Sequence, residues 1–77
     1  MDITQHNSRA EELIKDFNSE RTETKLQECQ NFGLRKILLP SGEPMQHWED
    51  GFKNFREAIP VYERINNEMK ITKIGFY

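Results

Sequence analysis

Hydrophobic residues recur at helical spacing in the middle of the chain, within a stretch bounded by two prolines. Apolar side chains there fall within an arc of about 80° when 100° is added per residue of an α-helix: Met45, Trp48, Phe52, Phe55 and Ile59. Pro44 suits the first turn of a helix because it has no N–H to leave unpaired, whereas Pro60 disfavours helical geometry at the residue before it. The pattern predicts a central amphipathic helix that is capped by Ser41 or Gly42 and ends near Glu57 or Ala58, with its apolar stripe at the centre of the core.

The N-terminal part of the chain carries a second helical pattern. Ser8 and Glu11 have the spacing of a capping box, in which both side chains bind backbone N–H groups at the start of a helix. We therefore expect residues 1–7 to be frayed and a helix to begin at Ser8. Its apolar stripe contains Ala10, Leu13, Ile14 and Phe17. The stripe changes phase near Ser19. This favours two helices, with Ser19 as the cap of the second, over one long helix, and Gly33 is suited to end the second.

The C-terminal segment has the composition of two strands on either side of Asn66 and Asn67. It is rich in β-branched and aromatic residues, and asparagine tolerates the positive φ angles that a two-residue type I′ turn requires. A hairpin with this turn pairs Glu63 with Lys70, Tyr62 with Ile71 and Val61 with Thr72. The alternative is a helix over residues 60–69, because apolar residues there also recur at helical spacing. We favour the hairpin.

A short strand completes the predicted fold. Residues 34–39 are apolar at four of six positions and end at Pro40, which predicts a buried strand. We therefore expect a single small α+β domain over residues 1–77. One or two N-terminal helices, this strand, the central helix and the C-terminal hairpin would build a small three-stranded antiparallel sheet with helices against it. If residues 60–69 were helical, the fold would be mostly α.

Charge and composition exclude several classes of function. The chain has 77 residues, of which 13 are acidic and 11 basic, and its net charge is −2. Neither nucleic acid nor an anionic membrane therefore attracts the protein as a whole. No signal-peptide pattern opens the sequence, and no apolar run approaches the roughly 20 residues that span a bilayer. Because the chain also has a lone cysteine, we expect a cytoplasmic protein, of a composition common among small bacterial and phage accessory proteins.

The sequence contains no pattern typical of catalysis, metal binding or cofactor binding. His6 and His47 lie far apart, and Cys29 has no second thiol with which to form a metal or redox motif. Ser41, His47 and Asp50 are residue types of a nucleophilic site, but no recognisable motif surrounds them. The four glycines are isolated, so the sequence has no glycine-rich phosphate loop. We expect a non-enzymatic protein without a cofactor.

Two kinds of macromolecular partner fit the remaining residues. Aromatic side chains often anchor protein interfaces, and we expect Tyr62 and Tyr77 to be available for such contacts. An open edge of the sheet offers a further mode of protein binding. Basic residues could instead contact nucleic acid or another anion: Arg35, Lys36, Lys53, Arg56, Arg64, Lys70 and Lys73. Because the chain is acidic overall, we favour an accessory or regulatory protein that binds a protein, including its own copy, with nucleic-acid binding as the alternative.

Overall fold

The computed structural model describes residues 2–45 and 55–77, which form two helices and a four-stranded sheet. The elements in chain order are α1 (Ile3–Ser19), α2 (Glu23–Phe32), β1 (Arg35–Leu38), β2 (Glu43–Pro44), β3 (Ala58–Ile65) and β4 (Glu68–Phe76). The predicted α+β class is confirmed, and so is a short strand within residues 34–39.

The sheet is mixed, with the strand order β2-β1-β4-β3. Strand β1 runs parallel to β4, while the pairs β1–β2 and β3–β4 are antiparallel. The predicted three-stranded antiparallel sheet is therefore wrong in its strand number and in the direction of one pair. Strand β3 lies at the edge of the sheet. This position tolerates Pro60, because a proline has no N–H to donate to a second neighbouring strand. Strand β4, which contains buried Ile71, Ile74 and Phe76, lies between β1 and β3.

Helix α1 begins at Ile3 rather than at Ser8. Asp2 is the N-cap, and its carboxylate accepts a hydrogen bond from the N–H of Gln5 at 2.9 Å. Residues 3–7, which the sequence predicts to be frayed, are helical, and Ser8 lies exposed within the helix. The predicted buried stripe is confirmed and consists of Ala10, Leu13, Ile14 and Phe17.

The predicted break between two N-terminal helices is confirmed. The second helix is capped by Thr22 instead of Ser19, and the Thr22 hydroxyl accepts from the N–H of Lys25 at 3.3 Å. Gly33 follows α2 with φ of 111°, a left-handed conformation that a glycine adopts without steric cost. Its N–H donates to carbonyl groups of the last turn of the helix. The prediction that Gly33 ends this helix is therefore confirmed.

The C-terminal hairpin turns at Asn66 and Asn67, whose φ angles are 51° and 66°. The predicted pairs of Glu63 with Lys70 and of Tyr62 with Ile71 are confirmed, and the alternative helix is wrong. Beyond Tyr62 the register differs from the prediction. Val61 pairs with Lys73 instead of Thr72, because a β-bulge inserts one extra residue into β4.

Most of the predicted central helix, including Trp48 and Phe52, lies outside the described residues. Both of its predicted ends are wrong. Glu43 and Pro44 form β2, where the missing N–H of a proline is tolerated on an edge strand, and Ala58 already belongs to β3. Met45 is nevertheless buried, as its place in the apolar stripe predicts.

Helices and sheet meet in a hydrophobic core on one side of the sheet, which we call the helix face. The core contains Ala10, Leu13, Ile14, Phe17, Leu26, Cys29, Leu34, Met45, Ala58, Ile71, Ile74 and Phe76. The ring of Phe17 from α1 meets the ring of Phe76 from β4 edge to face, with centroids 5.6 Å apart. Phe55 packs against this cluster, with its ring centroid 5.6 Å from that of Phe76.

Candidate interaction surface

The N-terminal part of α1 closes an edge of β4. Strand β1 pairs with β4 only from Lys73 onwards, so another group must satisfy the backbone of β4 before that point. The Asn7 side chain does so, because Oδ1 accepts from the N–H of Ile71 and Nδ2 donates to the carbonyl of Met69, both at 2.9 Å. His6 adds a hydrogen bond from Nε2 to the carbonyl of Ile71 at 2.7 Å. A helix side chain thus continues the ladder where the neighbouring strand stops.

The C-terminal part of α1 closes part of the outer edge of β3 in the same way. The Asn18 side chain donates to the carbonyl of Ala58 at 2.7 Å and accepts from its N–H at 2.8 Å. Asn7 and Asn18 are 11 residues apart, which places them about 20° apart around a helix. One face of α1 therefore reaches the outer side of β4 with one asparagine and the outer side of β3 with the other.

The chain just before β3 is held as well. The Arg21 guanidinium, between the two helices, donates to the carbonyl groups of Phe55 and Arg56. The N–H of Arg56 donates to the carbonyl of Tyr77 at 2.8 Å. These bonds and the Asn18 pair anchor the start of β3.

Further along β3 the outer edge is open. Ile71 directs its backbone toward α1, so its antiparallel partner Tyr62 directs its own backbone away from β4. Arg64 does the same opposite Met69, since backbone direction alternates along a strand. Among the described residues, no hydrogen bond outside the sheet uses the backbone of Tyr62 or Arg64. We call β3 from Tyr62 to Ile65 the open edge.

Exposed apolar side chains surround the open edge. Tyr62 is 41% exposed, Ile65 38% and Met69 52%. Register places Tyr62, Arg64 and Met69 on the helix face, and Glu63, Ile65 and Lys70 on the opposite face. A partner strand lying along this edge would find apolar and charged side chains above and below it.

Tyr62 is held in position by α1. Its hydroxyl donates to Glu11 Oε1 at 2.9 Å. This hydrogen bond is the main reason why the pKa of Tyr62 is raised above its ordinary value, with smaller contributions from desolvation and from the carboxylate charge. The hydrogen bond links the Tyr62 ring to α1 while the ring stays partly exposed to solvent.

Tyr77, the second predicted contact aromatic, lies at the other end of the hairpin. Its hydroxyl donates to Glu57 Oε2 at 3.3 Å, and the Arg56 guanidinium lies 5.9 Å from its ring centroid. Tyr77 is 41% exposed. Because Tyr62 and Tyr77 occupy opposite ends of the hairpin, they do not belong to one contact surface.

The predicted basic residues are divided between different parts of the fold. Arg35 is paired with Lys73 across β1 and β4, and both lie with Lys70 on the opposite face. The register places Lys36 and Arg64 on the helix face, Arg56 contacts Tyr77, and Lys53 lies outside the described residues. The structure thus brings three of the seven predicted residues to one face of the sheet.

Cys29, the lone cysteine, lies in the core. It is buried, and its thiol donates to the carbonyl of Leu13 at 3.5 Å. Burial, followed by the charges of Glu28 and Asp16, raises the pKa of Cys29 to about 11.

Within residues 2–45 and 55–77, no three His, Cys, Asp or Glu side chains are grouped so that they could hold a metal ion. In the same residues, neither helix has the length and apolar character needed to cross a membrane.

Sequence reasoning missed the two asparagines that close the outer sides of β4 and β3. Asn7 lies in the stretch that the sequence predicts to be frayed, and Asn18 lies where the apolar stripe changes phase, so neither stands out. Their spacing around the helix is the one signal that could have indicated a shared structural task. Comparison of the chain with protein-family models, with curated proteins and with solved structures found no match.

Proposed function

We propose that this protein is a small non-enzymatic accessory or regulatory protein of the cytoplasm that binds another protein by accepting an extended segment along the open edge. The observation that carries the proposal is the outward-facing backbone of Tyr62 and Arg64 beside exposed Tyr62, Ile65 and Met69. In strand addition, backbone hydrogen bonds supply affinity and alternate side chains supply specificity.

The contrast with the other edges of the hairpin supports this proposal. Side-chain amides satisfy the outer side of β4 at Met69 and Ile71 and the outer side of β3 at Ala58. Proteins commonly protect exposed edges because an open edge invites pairing with another chain. The open edge follows the closed position at Ala58 along β3 and carries apolar side chains, which is the combination expected of a binding edge.

The chemistry of the edge indicates the partner segment that it would accept. On the helix face, an apolar residue beside Tyr62 would gain contact with an exposed aromatic ring, and an acidic residue beside Arg64 would complement its charge. On the opposite face, Ile65 offers a further apolar contact. We therefore propose an extended partner segment with an apolar residue beside Tyr62, an acidic residue two positions along beside Arg64, and a further apolar residue beside Ile65.

Nucleic-acid binding is the weaker alternative. Arg35, Lys73 and Lys70 share the opposite face, but Glu63 lies directly beside Lys70. A few phosphate contacts would give weak binding that depends steeply on salt. The net charge of −2 offers no long-range attraction to offset that weakness.

Two substitutions of one residue test the proposed mode. Arg64→Pro removes an outward N–H without removing a hydrogen bond to β4, whereas Arg64→Ala removes the side chain and keeps the N–H. We expect a partner captured from lysate by the wild-type protein to be lost by Arg64→Pro and largely kept by Arg64→Ala. Circular dichroism and thermal unfolding establish that both variants are folded.

Hydrogen exchange on the captured complex supplies the decisive measurement. The amides of Tyr62 and Arg64 should exchange rapidly in the free protein and slowly in the complex. Equal capture by both variants, or unchanged exchange at these amides, would contradict the proposal. Salt-sensitive binding of a single-stranded oligonucleotide that is abolished by Lys73→Glu would favour the alternative instead.

A further inference from the structure

We infer that the open edge also pairs with the same edge of a second copy of this chain, antiparallel and centred on Glu63. This inference rests on the proposed function, because it requires the open edge to be a binding site. It adds the identity of one occupant and the register in which that occupant binds.

The backbone restricts self-pairing to a few registers. Only residues that direct N–H and C=O outward can exchange hydrogen bonds across a two-fold axis. Along β3 these are Tyr62 and Arg64. The outward N–H and C=O of Ala58 are already bound by the Asn18 side chain, and Pro60 has no N–H. The axis must therefore lie at residue 62, 63 or 64.

Only the register centred on Glu63 uses both outward residues fully. A register centred on Tyr62 would place Arg64 opposite Pro60 of the second copy, and Pro60 has no backbone N–H to donate to Arg64. A register centred on Arg64 would place Tyr62 opposite Asn66 of the second copy, a turn residue with φ of 51° that does not continue the strand. A register centred on Glu63 places Tyr62 of each copy opposite Arg64 of the other. Each of these two equivalent pairs forms two N–H···O hydrogen bonds.

Most side-chain contacts favour that register, and the pair of Glu63 carboxylates at the axis opposes it. On the helix face, each exposed Tyr62 ring meets an Arg64 guanidinium, which favours a cation–π contact. On the opposite face, Val61 meets Ile65 of the second copy. The two Glu63 carboxylates meet at the axis, and each is paired within its own hairpin with Lys70.

The expected dimer is weak. Pairing of one strand edge buries less than the roughly 1,000 Å² typical of stable interfaces, and the two carboxylates at the axis repel each other. Two copies would nevertheless share one continuous eight-stranded sheet, since each contributes four strands. The dimer should therefore form reversibly and depend on protein concentration.

Disulfide trapping identifies the register. At the axis, the two Cα atoms of residue 63 would lie about 4.5 Å apart, within the range that a disulfide bridges. Residue 64 and its copy would lie about 8 Å apart or more, which is outside that range. Glu63→Cys should therefore give a disulfide-linked dimer in a glutathione redox buffer. The matched control is Arg64→Cys combined with Glu63→Gln, which also lacks the carboxylates at the axis and should remain largely unlinked.

Sedimentation of the uncrosslinked protein tests the backbone pairing. Arg64→Pro should weaken self-association by about tenfold or more, because two hydrogen bonds per dimer are lost, whereas Glu63→Gln should strengthen it. Equal crosslinking of the two cysteine variants, or self-association that Arg64→Pro leaves unchanged, would overturn the inference.

The remaining outcomes separate the two proposals. A protein that stays monomeric at millimolar concentration, yet captures another protein through an Arg64→Pro-sensitive edge, would overturn self-pairing and support the proposed function. A dimer trapped at residue 63, without any edge-dependent capture of another protein, would support self-pairing and contradict binding of a different partner.

Discussion

The Asn18 side chain forms both hydrogen bonds that a neighbouring strand would offer to Ala58, at 2.7 Å to its carbonyl and 2.8 Å to its N–H. Asn18 is half-buried and Ala58 is buried. The same relationship holds between Asn7 and the backbone of Met69 and Ile71. Helix α1 is therefore both a cover for the core and a cap for the sheet.

Removing the Asn18 amide should destabilise the fold. Asn18→Ala leaves the N–H and carbonyl of Ala58 without partners, which costs about 1–3 kcal/mol in unfolding free energy. The exposed neighbour Ser19 provides the control, since Ser19→Ala removes no described hydrogen bond. Chemical denaturation of the two variants measures the difference. Equal stability of both would show that the edge of β3 needs no cap at Ala58.

A glycine in the hairpin turn should stabilise the protein. Asn67 has φ of 66°, a conformation that glycine adopts at lower cost, and Asn-Gly is the preferred type I′ turn. We expect Asn67→Gly to raise the unfolding free energy by about 0.5 kcal/mol. Asn31→Gly, within α2, should instead lower it by roughly 0.5 kcal/mol. Thermal unfolding should therefore shift in opposite directions for the two variants.

The buried thiol makes the stability of the protein sensitive to alkaline pH. Burial is the main cause that raises the pKa of Cys29 from 9.0 to about 11. The folded state therefore holds the thiol proton more tightly than the unfolded state, and this contribution is complete below pH 9.0 and is lost between pH 9.0 and about 11.

Cys29→Ala isolates this contribution, because all other groups titrate in both proteins. The wild-type protein should lose up to about 2–3 kcal/mol relative to the variant across that range. Denaturant unfolding at several pH values measures the loss. Parallel pH profiles of the two proteins would contradict the prediction.

The hydrogen bond between Tyr62 and Glu11 should be visible in the titration of the tyrosine. Glu11→Gln removes the carboxylate that chiefly raises the pKa of Tyr62, so that pKa should fall toward its ordinary value. Stability should change little because both side chains are exposed. Ultraviolet titration at the tyrosinate band, with Glu12→Gln as the control, measures the shift. A Tyr62 pKa that is the same in both variants would show that Glu11 does not hold the ring in solution.

The parts of the fold that could be predicted from the sequence depend on local chemistry. Asn66 and Asn67 set the turn, and the pairs next to it, including Glu63 with Lys70, follow from counting along both strands. Gly33 likewise marks a helix end through its own backbone conformation. Such signals require no knowledge of distant residues.

The parts that could not be predicted depend on groups far apart in the sequence. The parallel pairing of Arg35 with Lys73 brings together strands separated by the whole β2–β3 region. The edge caps at Asn7 and Asn18 depend on where a helix lies over a hairpin. The sequence suggests an open sheet edge and an exposed Tyr62 as separate features, and only the long-range contacts show that they coincide.

The extra residue in β4 lets Ile71 and Ile74, on either side of the bulge, face the same side of the sheet. Ile71 and Ile74 are three positions apart, so a regular strand would send them to opposite faces, and only one of them would reach the core on the helix face. With Thr72 inserted opposite Val61, both are fully buried. Without the extra residue, the chain could either bury both isoleucines on one face or keep the strand pairs next to the turn, but not both. The irregularity thus lets a single strand place Ile71 and Ile74 in one core and still keep the pairs that follow from the turn.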